Sequence, residues 1–248
     1  MNEQDNFHLI INRTTAYLGP TGIKREKFCI DYMQKKLEVF NELRQKQSEI
    51  VLNKSETIIC RESCSHCCML MVSASIQEVE LIVYYLYKNE KVFNAFIKTY
   101  PLWISKIHNA GSLLKDLPEF KNQSKNDEST EQEPVYDMFS NRIIFAKQKI
   151  YCPFLYNGKC SIYEVRPFFC AGYIATSPCE WCNPMHPDYN KKKTYQTFNI
   201  DLADDHSFYT GNLGKRVWSF MPLMVYETLR YGTEALYKMQ IFTLEEKI

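Results

Sequence analysis

The chain has 248 residues, 45% of them apolar and 24% charged, and a net charge of +1. That length suits one domain, or one domain with a small appendage, and can bury a substantial core. The near-neutral balance gives no bulk electrostatic pull toward nucleic acid or an anionic membrane, and the ordinary apolar share excludes a disordered chain.

With 17 Tyr, 15 Phe and only 8 Gly, the composition favours helices with bulky cores over a many-turned sandwich. Residues 1–5 are polar and acidic, without the basic and apolar regions of a secretory signal. The longest apolar runs, 81–87 and 220–226, hold seven residues each, whereas a membrane-spanning helix needs about 18 or more. A soluble, cytoplasmic protein is expected.

The turn signal Gly19-Pro20-Thr21-Gly22 precedes Ile30, Met33, Leu37, Phe40 and Leu43, which recur at helical spacing among Lys, Glu and Gln. This pattern predicts an amphipathic helix over 24–50. Ser75 and Glu78 stand in capping-box relation ahead of Val79, Ile82, Val83 and Leu86, so a second helix with a buried stripe is expected there. A third helix is expected over 91–100, with Pro101 kinking or ending it before 102–114. Residues 119–134, nearly all polar, read as a surface loop or linker.

Asn157-Gly158 is the favoured pair of a tight primed turn and lies between apolar residues of 151–163, which predicts a β-hairpin. Residues 173–216 look loop-like, and Leu223, Val225, Tyr226, Leu229 and Leu236 suggest a last helix over 223–238. The expected fold is mainly α: an irregular helical domain with a small β-hairpin and a cysteine-rich metal centre. Its organisation reads as an N-terminal helical segment (1–55), a cysteine-cluster domain (56–185) carrying the polar insertion, and a helical C-terminal extension of it (186–248).

Ten cysteines in a chain that is not short and is not expected to be secreted argue for metal ligands or redox groups rather than a disulfide scaffold. Four of them, Cys60, Cys64, Cys67 and Cys68, fall within nine residues. One loop with such spacing can supply several soft ligands to one metal. Cys152 and Cys160 sit at the two ends of the predicted hairpin, and Cys170 follows ten residues later. Neighbouring residues such as Cys67 and Cys68 diverge and are able to serve different metals. Cys179 and Cys182 have metal-compatible spacing and read either as a second site or as ordinary thiols.

The two cysteine blocks resemble the family named for its C-x-x-C-x-x-C-C motif. Its members pair the four-cysteine group with a downstream block C-x-L…C-x-I-Y-x-x-R-P-x-x-C. Here that block is Cys152 with Leu155, then Cys160, Ile162, Tyr163, Arg166, Pro167 and Cys170. The family's acidic residue in the following helix is matched by Glu78 or Glu80. Three features depart from the pattern: three residues rather than two between Cys60 and Cys64, Ala171 where Arg is common, and the extra pair Cys179 and Cys182.

The resemblance implies zinc or iron chelation, with Cys60, Cys64, Cys67, Cys68, Cys152, Cys160 and Cys170 as metal ligands. Four thiolates hold either a 4Fe–4S cluster or one Zn²⁺, so the expected cofactor is an iron–sulfur cluster or zinc. Arg166 is expected to offset thiolate charge or donate hydrogen bonds to sulfur. Some members of the family resemble flagellin lysine-N-methylases, which makes an iron–sulfur-dependent methyltransferase acting on a protein substrate the alternative function. A zinc-stapled interaction module, docking a partner through its N-terminal helix, is the second alternative.

The spacing Cys60-x₃-Cys64-x₂-Cys67 also matches the radical S-adenosylmethionine motif, but the alternating strand–helix pattern of a barrel is missing around it. His66 is a candidate replacement ligand, whereas His186-Pro187-Asp188 and Asp204-Asp205-His206 read as solvated surface. Substrate, number of metal ions and oligomeric state are left open by the sequence.

Overall fold

Pro20, with no N–H to leave unpaired, occupies the first turn of helix α1 (Gly19–Asn53). The computed structural model describes residues 9, 12–61, 63–110, 145–197 and 218–232. The expected linker at 119–134, the Asp204–Asp205–His206 group and the end of the last expected helix lie outside the described residues.

Helix α1 is longer than expected, and its inward face is rotated from the apolar repeat. Phe40 and Leu43 are buried as anticipated, but Ile30 and Leu37 face solvent. The buried face instead runs through Phe28, Cys29, Tyr32, Lys36, Val39, Phe40, Leu43 and Gln47. Two of these positions are polar, because the core supplies their partners: Lys36 Nζ meets Glu78, and Gln47 Nε2 donates to Ala171 O. An apolar repeat cannot register such positions.

Strand β1 (Ser73–Ser75) leads into α2 (Ile76–Lys88) through the expected capping box. Glu78 N–H donates to Ser75 Oγ at 3.3 Å, and Ser75 N–H donates to Glu78 Oε2 at 3.1 Å. Val79, Leu81, Ile82, Val83 and Leu86 are fully buried. α2 is therefore the central helix, packed against α1, α3 (Glu90–Asn109) and the last helix, here numbered α5 (Met221–Tyr231).

α3 does not stop at Pro101 but runs through it. The ring removes the donor for the Ile97 carbonyl, and residues on both sides of it are packed, with Trp103 and Ile107 buried after it. Phe96 stacks on Phe154 at 4.4 Å and Tyr100 on Tyr226 at 3.9 Å. The Thr99 hydroxyl stands 2.9 Å from the Pro153 carbonyl oxygen.

The expected hairpin is present as β2 (Leu155–Tyr156) and β3 (Lys159–Cys160). Asn157 and Gly158 both have positive φ, 49° and 74°, the backbone of a primed turn. Helix α4 (Phe168–Ala171) follows. Two further pairings join distant segments. β4 (Tyr173–Ala175) pairs with β5 (Thr194–Gln196), and β1 pairs with β6 (Trp218–Phe220), both antiparallel. Each is three residues long, too short for an alternating pattern to mark it. The fold is mainly α with small two-stranded sheets. No described helix is long and apolar enough to cross a membrane.

Candidate metal centre

The first cysteine block is a chain of tight turns between α1 and β1. Cys64 N–H donates to Arg61 O and Cys68 N–H to Ser65 O, both at 2.9 Å, and His66–Met69 forms a 3₁₀ turn. With three residues per turn, successive side chains leave such a turn about 120° apart. The thiols of adjacent Cys67 and Cys68 nonetheless stay in hydrogen-bonding contact, and buried Met69 anchors the turn.

The second block docks on the first through its backbone: Cys152 N–H donates to Cys68 O at 2.7 Å. Leu155 N–H closes back to Cys152 O, and the hairpin pairs Leu155 with Cys160. This holds Cys152 and Cys160 at one end of the hairpin, as their sequence positions suggested.

Cys170 arrives on α4, and Glu78 fixes that short helix. Glu78 Oε1 accepts from Phe168 N–H at 2.7 Å and from Lys36 Nζ at 2.9 Å. Lys36 also lies over the Phe168 ring at 4.6 Å. Glu78 is 0% exposed and Lys36 2%. Burial pushes the Lys36 ammonium below its usual value, and the Glu78 carboxylate opposes that shift. Of the two acids matched to the family position, Glu78 is thus the one joined to a cysteine-bearing element. Glu80 pairs with Arg25 at 2.6 Å on another side of α2.

Nine of the ten cysteines gather here, in two groups. Cys68 interacts with Cys67, Cys152 and Cys160, and Cys170 with Cys67, Cys152 and Cys160. Cys60 and Cys64 lie instead with Cys179 and Cys182, and Cys67 reaches this group as well. The tenth, Cys29, is fully buried with its thiol 3.8 Å from the Glu80 carbonyl. Burial raises it further, the signature of an inert core thiol.

Burial is the leading cause of upward shifts at Cys170 and at Cys152, which is pushed up to about 12. Cys68 rises chiefly through its hydrogen bond to Cys67, and the same bond draws Cys67 down. Arg166 favours the thiolate forms of both Cys67 and Cys170. Its guanidinium stacks on the Tyr163 ring at 3.6 Å and donates to the Tyr163 carbonyl at 3.1 Å, a fixed cation beside sulfur.

Among the described residues, no three His, Cys, Asp or Glu side chains are drawn tightly enough together to hold a metal ion as they stand. The donor chemistry nonetheless fits a soft metal: the gathered side chains are thiols, with a cation beside them. Metal binding displaces thiol protons, including the one shared by Cys67 and Cys68. His186 Nδ1 accepts from Asp188 N–H at 3.1 Å, so that pair closes a local turn.

Sequence reasoning did not single out Lys36, whose signal, a lysine on the apolar side of a helix, is visible only once the inward face is known. Glu56 was missed for a similar reason. It accepts from Thr176 Oγ1 at 2.6 Å and Tyr195 Oη at 2.9 Å, and Lys193 lies at 3.1 Å. These contacts tie the approach to Cys60 onto β4 and β5.

A family described as CxxCxxCC, "Putative zinc- or iron-chelating domain", matches residues 59–199. The matched span takes in both groups of thiols, including Cys179 and Cys182. No curated protein and no solved structure matches the chain.

Proposed function

The chain belongs to the CxxCxxCC family, and from that premise we propose that its principal centre is an iron–sulfur cluster or a zinc ion held by Cys68, Cys152, Cys160 and Cys170, with Cys67 beside them. The observation that carries this reading is the Cys152 N–H to Cys68 O bond of 2.7 Å, which docks two cysteine blocks separated by some 80 residues of chain. Soft thiolate ligands select zinc or iron–sulfur clusters over hard cations. Four thiolates around Zn²⁺, or around a 4Fe–4S core, leave net negative charge, and Arg166 stands where it offsets part of it. A reducing compartment such as the cytoplasm suits thiols kept for metal. In the partner-docking reading the partner would meet the outward face of α1, where Ile30 and Leu37 are exposed, because the inward face lies on α2 and Phe40 packs edge-on to Phe168 of α4 at 5.4 Å.

The test is an ultraviolet–visible spectrum of protein purified without oxygen, with elemental analysis for iron and zinc. A brown sample with broad visible charge-transfer absorption and iron in excess means an iron–sulfur centre, whereas a colourless, zinc-rich sample means a zinc site. Cys160→Ser is expected to lose the metal of this centre together with soluble protein. Full metal retention in that variant would overturn the assignment.

A further inference from the structure

Cys179 and Cys182 lie outside the principal centre. They form the ends of one 3₁₀ turn, Cys179–Cys182, in which side chains three apart eclipse, so both thiols leave the turn on the same side. That turn packs against the 3₁₀ turn His66–Met69 of the first cysteine block.

The first block approaches from the other side along β4. Ile59 N–H donates to Ala175 O at 2.9 Å, and Ala175 N–H donates to Cys60 Sγ at 3.1 Å. Next along the chain, the turn closed by Cys64 N–H on Arg61 O brings Cys64 to the side of Cys179, whose own thiol donates to Glu180 Oε2 at 3.6 Å. Cys182 in turn interacts with Cys60 and Cys64.

We propose that Cys60, Cys64, Cys179 and Cys182 form a second thiolate metal site, separate from the principal centre, that takes a thiophilic cation, zinc or iron. Cys67 lies between the two sites. Vicinal Cys67 and Cys68, in contact with each other, then mark the boundary: Cys68 interacts with Cys152 and Cys160, and Cys67 with thiols of both sets. Cys60 rides on the segment paired to β4 and Cys64 on the turn closed on Arg61.

The surroundings suit a ligating sulfur. A backbone N–H aimed at Cys60 Sγ is the kind of outer hydrogen bond that stabilises a metal-bound thiolate. Lys192, over the Tyr189 ring at 3.3 Å, acts on Cys182 as the neighbouring cation, as Arg166 does at the principal centre.

The experiment is metal analysis and differential alkylation of the full chain purified without oxygen. In Cys179→Ser/Cys182→Ser the protein is expected to lose roughly one metal equivalent while the absorption or metal of the principal centre stays. Unchanged metal content in that variant overturns the second site. Because the variant risks misfolding, wild-type protein is also treated with iodoacetamide before and after chelation, and each cysteine peptide is quantified by mass spectrometry. Shielding of Cys60, Cys64, Cys179 and Cys182 that chelation abolishes supports the site. Equal labelling of Cys179 and Cys182 in both states, with Cys152, Cys160 and Cys170 shielded, overturns it and leaves the principal centre standing. The reverse pattern upholds the second site and overturns the principal centre.

Discussion

At the scale of single residues, the Glu78 carboxylate organises more of the site than any ligand does. One oxygen accepts from Lys36 and from the backbone N–H of Phe168, while the other closes the capping box at Ser75. One side chain thereby sets the start of α2, holds the inward face of α1 and positions the short helix bearing Cys170. A buried pair is not in itself strong evidence for stability, because desolvation of both ions offsets much of their attraction. Removing one partner is different, since it strands the other charge. Lys36→Met is therefore expected to destabilise the protein by about 3–5 kcal/mol, measured by urea unfolding of matched metal-loaded samples. A loss under about 1 kcal/mol would mean that Glu78 is satisfied by its backbone donors alone.

At the scale of elements, what was legible in sequence was what is decided locally. The capping box at Ser75 and Glu78 and the turn at Asn157-Gly158 depend on residues a few positions apart, and both appear where expected. Of the two outcomes expected at Pro101, a kink or an end, the helix does not end there: Phe96 and Tyr100 before the proline and Trp103 after it pack on distant rings. The inward face of α1 was misread because Lys36 and Gln47 find partners far along the chain. The hairpin gives a clean test of its own contribution. A Cβ at Gly158 would meet no atom within 4 Å, but φ is +74° there, so strain alone is at issue. Gly158→Ala is expected to cost about 1–2 kcal/mol in thermal or urea unfolding, and to speed metal loss to a chelator by loosening the hold on Cys152 and Cys160. An unchanged release rate would detach the hairpin from the centre.

At the scale of the whole molecule, the sorting of thiols was beyond the reach of spacing. The sequence shows one tight block and one looser one and leaves the number of metal ions open. The proposed division follows the long-range pairing each thiol rides on: Cys152 N–H on Cys68 O for one group, and residues 59 and 60 along β4 for the other. Glu56 is the clamp on the second pairing. Hydrogen bonds from Thr176 and then Tyr195 are the main causes that lower its carboxyl to about 2, with Lys193 adding to them. A carboxylate whose folded value lies below the unfolded one stabilises the fold above the unfolded value, about 4.3. That contribution is lost as pH falls through the window down to about 2. The expected result is a carboxyl resonance of Glu56 with a midpoint near the bottom of that window in an NMR titration. Glu56→Gln should accordingly be less stable than wild type at neutral pH and indistinguishable from it at the acid end. A midpoint at the ordinary glutamate value would show that the clamp is open in solution and that β4 and β5 hold Cys60 by backbone pairing alone.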